Sequence, residues 1–239
     1  MFRILRYKSV DSTNKEAKKL LISNSVVISE IQTAAKGRFG RKWHSGRGGL
    51  WFSITIREKN LLNPKMLAFI AAIAIHNAVK KVTKINAPIK WPNDLLINGK
   101  KVCGILTESV LGKGNYFIIG IGLNVNNHLP IDVKNKATSL YWQLKILKNK
   151  NIKKIGNKAI LKVFLRGFES YLSIYRKKQY ARILEAWKMR SDNIGRKVKV
   201  RTLAGKTYKG TIKGIDKGGN LLLKVKNSII KIEEADLFL

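Results

Sequence analysis

Met66 to Ile75 is a run of ten residues without a charge or a polar side chain, and it constrains the fold more than any other stretch. Asn63-Pro64 opens a helix with proline at its first position, and the helical pattern continues to about Val82. A helix that is apolar on several faces has no side to give to water, so it should be central to the core. The run is too short to span a bilayer. His76 lies within this helix and reads as structural rather than catalytic. At 239 residues with 45% apolar content, the chain has room for one domain plus a small second one.

The strands that should surround this helix are legible from alternation. Val26 to Ile31 is rich in β-branched residues. Leu50, Phe52, Ile54 and Ile56 alternate with Trp51, Ser53 and Thr55. Leu95-Leu96-Ile97 and Val102 to Thr107 flank Asn98-Gly99, a hairpin signal. Tyr116 to Val125 is a further strand whose Gly120 and Gly122 suggest close approach of a ligand or another backbone. Segments 137–147, 155–176 and 180–189 read as helices with apolar faces. After about Ser191 short strands separated by glycines suggest a small barrel of the SH3 type.

Three stretches carry polar groups where packing does not ask for them. Thr13 and Glu16 form a capping box, so Asp11-Ser12-Thr13-Asn14 clusters hydroxyls and free N–H groups at a helix start. From Ile31 to Arg57 there is no acidic residue, while Lys36, Arg38, Arg41, Lys42 and Arg47 are basic. This loop also carries Gly37 and Gly40 and reads as a cradle for a small anion. It lacks the Gly-Lys-Ser/Thr of the P-loop and the glycine spacing of the dinucleotide fingerprint. Lys90-Trp91-Pro92-Asn93-Asp94 ends a short strand with a lysine suited to phosphate, then an amide and a carboxylate that could hold Mg²⁺. A solvated loop and an Asx turn remain the plain alternatives for the last two stretches.

Lys and Arg number 48 against 14 Asp and Glu, a net charge of +34. Such an excess fits polyanion binding. It is spread along the chain rather than gathered in one stripe, so a lysine-rich composition explains it better. Cys103 is the only cysteine, which excludes an internal disulfide and a cysteine-based zinc site and leaves a small core residue. Met1 to Arg6 lacks the apolar region of a signal peptide. These features predict a soluble, cytoplasmic protein with no membrane partner.

Taken in order, the stretches resemble the biotin–protein ligases. The match comprises Ser12-Thr13-Asn14, Gln32, the loop 35–43, Lys90-Trp91-Pro92-Asn93-Asp94, Gly104 to Glu108, and the Gly-x-Gly-x-Asn-Val of Gly120 to Val125. The loop departs from the family pattern at Ala35-Lys36, where Gly-Arg is usual. The end of the chain lacks an arginine that some relatives place near the nucleotide. A dozen residues before the Thr13 helix leave no room for a DNA-binding winged helix.

The resemblance implies an α+β fold: a mixed-sheet catalytic domain over 1–190 with helices on one side, and an SH3-like barrel over 191–239. It implies activation of biotin by ATP and Mg²⁺ to biotinyl-5′-AMP, then transfer to a lysine of a biotin carboxyl carrier protein such as the acetyl-CoA carboxylase subunit. Lys90 and Arg38 would be catalytic. Ser12, Thr13, Asn14, Gln32, Lys36, Gly37, Arg38, Gly104 and Gly122 would bind biotin. Arg38, Arg41, Trp43, Lys90, Asn93 and Asn124 would bind the nucleotide, and Asp94 the metal. No sequence-specific DNA binding is implied, and a homodimer is compatible. The rivals are a lipoate or octanoate ligase of the same fold and a basic nucleic-acid-binding protein.

Overall fold

The computed structural model describes residues 2–58, 63–112, 114–148 and 152–238. Seven strands form one mixed sheet in the order β1-β2-β3-β7-β6-β5-β4. They are β1 (Arg3–Val10), β2 (Ser25–Gln32), β3 (Leu50–Arg57), β4 (Ile89–Lys90), β5 (Asp94–Ile97), β6 (Lys100–Val110) and β7 (Tyr116–Leu123). Among the strand ladders of the described residues only β1 and β2 pair in parallel, and α1 (Thr13–Leu20) joins them. A parallel pair needs such a crossover, whereas the antiparallel remainder can use short turns. Asn98 and Gly99 turn β5 into β6 with φ of 50° and 74°, as an Asn-Gly hairpin should.

The apolar helix is α2 (Lys65–Thr83). Its side chains from Met66 to Val79 are buried apart from Ala68 and Asn77. They pack between one face of the sheet and the helices α4 (Asn157–Arg176) and α5 (Tyr180–Lys188). Phe52, Ile54 and Ile56 of β3 point into that core. The alternate residues of β3 face the other side, where α1 packs through Ala17 against Val27 and Ile118. The short α3 (Leu140–Lys148) precedes α4.

His76 donates or accepts through Nδ1 at 2.8 Å from Ala87 O, inside the core. Burial holds its pKa below the ordinary 6.5. The imidazole is therefore neutral in the fold but protonates readily in the unfolded chain. Its contribution to stability is complete above pH of about 6.5 and is lost as pH falls through the lower folded value. Denaturant titrations at pH 7.5 and 5 should show a larger acid loss for wild type than for His76→Gln. Equal losses would assign the acid sensitivity elsewhere.

The second sheet is antiparallel throughout, in the order β11-β10-β9-β8-β12. It comprises β8 (Lys197–Thr202), β9 (Thr207–Ile215), β10 (Leu221–Val225), β11 (Ser228–Ile232) and β12 (Ala235–Phe238). The barrel expected from sequence has this strand content, with no ladder between β11 and β12 closing it among the described residues. The sheet docks on the first one through Trp91. The Trp91 amide donates to Asn193 Oδ1 at 3.2 Å and the indole Nε1 to Gly219 O at 3.1 Å.

Candidate active site

The site lies on the α1 face of the large sheet, and the alternation of three strands builds it. Ser53 of β3 stands opposite Gly120 of β7, and Gly120 opposite Leu106 of β6. Two residues on, Gly122 of β7 stands opposite Gly104 of β6. Cross-strand partners share a face, so Ser53 and three glycines form one floor. The glycines are required by close approach. A Cβ at Gly120 would lie 2.1 Å from Asn14 Oδ1, and one at Gly122 would lie 2.4 Å from Trp43 Nε1.

A narrow slot of about 50 Å³ opens above this floor. At its closed end the start of α1 is tied to the sheet by buried hydrogen bonds. The Thr13 amide donates to Gln32 Oε1 at 2.7 Å, and Gln32 Nε2 donates to Ser45 Oγ at 2.9 Å. Ser53, fully buried, lies 2.7 Å from Thr13 Oγ1 and donates to Asn14 Oδ1 at 2.6 Å. Asn14 Nδ2 donates to Glu108 Oε2 at 2.6 Å, and Glu108 is ion-paired with Lys18. Ser12, Thr13, Asn14, Gln32, Lys36 and Gly104 all line the slot, as does Gly122. The Asn14 amide is engaged on both sides, so it braces Thr13 and the floor.

A larger cavity of about 370 Å³ adjoins the slot, and Trp43 and Asn93 line both. Arg38, Arg41, Lys90, Asp94 and Asn124 line the cavity. Burial lowers the Lys90 pKa, and the nearby Asp94 carboxylate partly offsets this. Asp94 pairs with Lys101 at 2.7 Å, and the Lys101 ammonium lies 5.0 Å from the centre of the Trp43 ring. Asn93 Nδ2 donates to Ile105 O at 2.6 Å, which fixes the turn to β6. Asn124 Oδ1 accepts from Asn127 Nδ2 at 3.1 Å.

The loop 35–43 is held by β12 and the residues just before it. Arg38 Nη2 pairs with Glu234 at 2.9 Å, and Arg41 Nη2 pairs with Asp236 at 2.6 Å. Phe39 between them has φ of +59° and sits 4.7 and 5.1 Å from the two guanidinium carbons. Gly37 lines neither the slot nor the cavity; its amide donates to Arg41 O at 2.7 Å and closes the loop on itself. Arg38 lines the cavity rather than the slot. Ala35 is buried against the slot and is not among the residues with positive φ, so alanine fits there without strain.

Sequence reasoning missed Lys101 and Ser53. Lys101 escaped because the β5–β6 register shifts at Leu95/Leu96. Its Nζ lies 3.2 Å from where a Cβ on Gly104 would stand, although simple alternation puts residues 101 and 104 on opposite faces. Ser53 did carry a signal, as a small polar residue in an otherwise apolar central strand. The lone cysteine, Cys103, is buried, and burial pushes its thiol pKa up, which suits a core residue and not a nucleophile.

Residues 7–126 match the model of the biotin/lipoate A/B protein ligase family, and residues 194–239 match the biotin protein ligase C terminal domain. The chain is 36% identical to the bifunctional ligase/repressor BirA of Bacillus subtilis, over 98% of this chain and 73% of that protein. It is 29% identical to the biotin–[acetyl-CoA-carboxylase] ligase of Paracoccus denitrificans, over 95% of this chain and 97% of the relative. The biotin protein ligase from Aquifex aeolicus in complex with biotin and ATP superposes with a TM-score of 0.87 at 28% identity, covering 99% of this chain and 98% of the other.

Proposed function

The chain belongs to the biotin/lipoate A/B protein ligase family, and from that premise we propose that it makes biotinyl-5′-AMP from biotin and ATP and passes the biotinyl group to a lysine of a carrier protein. The observation that carries this reading is the joined pair of cavities. A hydroxyl-and-amide slot meets a cationic cavity at Trp43 and Asn93. A neutral ureido ring suits the first, with Ser12, Thr13 and Gln32 as partners. A triphosphate suits the second. The acid's carboxylate then lies at the junction, where the α-phosphorus must come.

Two anions meet there, so positioned cations supply the catalysis. Lys101 stands at the junction and Lys90 lines the cavity. The biotin carboxylate is already ionised at neutral pH and attacks without a general base. Its oxygen bonds to the α-phosphorus as the bond to the bridging oxygen breaks and pyrophosphate leaves. Arg38 and Arg41 exchange Glu234 and Asp236 for substrate anions, and Trp43 offers its ring to adenine. Closure of the loop 35–43 excludes water from the mixed anhydride.

Mg²⁺ would enter on the triphosphate. Among the described residues no group of three or more His, Cys, Asp or Glu could hold an ion alone. Asp94 in the cavity wall, with Asn93 beside it, fits the one or two protein oxygens that Mg²⁺ takes when phosphates complete its shell. The acceptor is taken to be the carrier domain of acetyl-CoA carboxylase, and the protein is taken to act in the cytoplasm without sequence-specific DNA binding.

Pyrophosphate–ATP exchange run with biotin, with lipoate and with no acid tests the reading. Exchange is expected with biotin alone. Exchange with lipoate instead would reassign the substrate, and none with either acid would remove the activity. Lys36, exposed at the slot's rim, keeps the charge of an arginine but not its planar fork. Lys36→Arg is expected to slow release of biotinyl-adenylate several-fold. A release rate equal to wild type or faster would show that Lys36 touches neither carboxylate nor phosphate.

A further inference from the structure

A cavity of about 860 Å³ lies between α3, the β5–β6 turn and the segment 126–139. It shares Leu129 and Ala137 with the nucleotide cavity and no residue with the slot. Trp142 and Ile146, one turn apart on α3, line it and are 55% and 57% exposed. Lys145, on the same helix face, holds its ammonium 5.7 Å from the centre of the Trp142 ring. Lys100 and Lys134 also line the cavity, with Lys100 Nζ donating to Lys134 O at 3.1 Å. No carboxylate lines it among the described residues. Lysine alone says little in a chain with 48 basic residues. The amides say more. Asn126 spends both ends on the Ile155 backbone at 2.9 Å each, and Gln143 spends its own on Asn98 and Thr138. Asn127 differs. It is 4% exposed, its Nδ2 donates to Asn124 Oδ1 at 3.1 Å, and its Oδ1 is covered with no partner. A covered carbonyl oxygen without a donor is costly, and a ligand of this cavity can supply one.

We propose that this cavity is a second nucleotide site, taking a nucleoside polyphosphate as an effector and not as a substrate. A base stacks on the exposed Trp142 ring. The phosphates lie on the ammonium groups of Lys100, Lys134 and Lys145. An N–H of the base or a ribose hydroxyl donates to Asn127 Oδ1. Inorganic phosphate would use the lysines and leave Trp142 and Asn127 idle. An apolar ligand would use Trp142 and strand the charges. The volume lies within the roughly 300–1,000 Å³ of small-ligand sites.

The site is wired to the nucleotide cavity by two routes. Asn127 takes the ligand on Oδ1 and holds Asn124 with Nδ2, and Asn124 lines the nucleotide cavity. The segment 126–139 walls both cavities through Leu129 and Ala137. Occupation of the second site fixes that segment, so the adenylate leaves more slowly, and by linkage the adenylate tightens the effector by the same factor. Binding at this site does not depend on the ligase reading; the coupling rests on it.

Trp142→Ala and Lys145→Glu test this; both residues are exposed and line neither the slot nor the nucleotide cavity. The full chain is first loaded with biotin and ATP, with pyrophosphatase present, so that adenylate fills the catalytic site. Equilibrium dialysis then measures binding of GDP, UDP and CDP, with inorganic tripolyphosphate and a short single-stranded oligonucleotide as competitors. At least one nucleotide should bind as a single equivalent, with Kd raised at least fivefold in each variant. That nucleotide should slow adenylate release at least threefold in wild type and leave it unchanged in Trp142→Ala. Pyrophosphate exchange without added effector should stay within twofold of wild type in both variants. No binding by any of the three, equal binding by wild type and both variants, or equal affinity for tripolyphosphate would overturn the site. Tighter binding of the oligonucleotide would overturn the free nucleotide as its occupant, and unchanged adenylate release would overturn the coupling. Absence of adenylate formation in wild type would refute the ligase reading alone, because dialysis of the unloaded protein and its variants still scores the site.

Discussion

Lys101→Ala and Lys90→Ala should each slow biotinyl-adenylate formation by roughly 10²–10³-fold, the cost of removing one pre-organised charge from a developing transition state. Both ammonium groups line the nucleotide cavity, but they stand differently. Lys101 is paired with Asp94 at 2.7 Å and lies over Gly104 at the junction. Lys90 makes no ion pair among the described residues, and burial already disfavours its charge. Phosphate arriving beside Lys90 favours its charged form, so its loss should fall on the chemical step and on ATP binding. Lys90→Ala should leave biotin binding intact, because the Ser12–Thr13–Gln32 end of the slot is untouched, whereas Lys101→Ala, at the junction where the carboxylate lies, should weaken biotin as well. Single-turnover adenylation and biotin titration separate the two effects. Near-normal adenylation in Lys90→Ala would remove Lys90 from the reaction, and in Lys101→Ala would leave Lys101 as the partner of Asp94 only.

Gly120→Ala should damage both the fold and biotin binding. The added Cβ would stand 2.1 Å from Asn14 Oδ1 and 2.8 Å from its Cγ. Asn14 cannot retreat, since Ser53 holds one side and Glu108 the other. Moving it would strand the fully buried hydroxyl of Ser53. Overpacking and a broken buried network together cost about 2–4 kcal/mol, a Tm loss of roughly 5–15 °C for a chain of this size. Displacement of Thr13 should raise the biotin Kd at least tenfold. Gly122→Ala is the contrast: its Cβ would meet Trp43, whose Nε1 has no hydrogen-bond partner among the described residues to break, so it should cost less Tm and weaken the nucleotide instead. Calorimetry with isothermal titration of biotin checks both. An unchanged Tm in Gly120→Ala would mean that the polar network is not fixed.

Much of this architecture follows from local rules. The ten-residue apolar run fits a buried helix, and α2 is one, packed against the sheet, α4 and α5. Alternation in β3 put Phe52, Ile54 and Ile56 on one side and Ser53 on the other, and the core lies on the first side. Asn98-Gly99 announced its hairpin because few other pairs tolerate two positive φ angles. The hydroxyl cluster, the basic glycine loop and Lys90 to Asp94 were each visible as polar groups out of place, and the chain brings all three to one face.

What sequence could not decide was set by contacts between distant segments. The register shift at Leu95/Leu96 turned Lys101 toward Gly104, and no count of alternating residues anticipates a bulge. The pairing of Arg38 with Glu234 joins residues 196 apart and depends on how the second sheet docks on Trp91. Gly120 and Gly122 read in the string as close approach of a ligand or another backbone, and Gly104 entered only through the family resemblance. Packing assigns Gly120 to Asn14, Gly122 to Trp43, and Gly104 to Lys101 and Trp43 together. Local sequence determines which way a strand's side chains alternate and where the chain turns. Which side chain meets which, and hence where one cavity opens into the next, is decided by the docking of whole elements, a property of no single stretch.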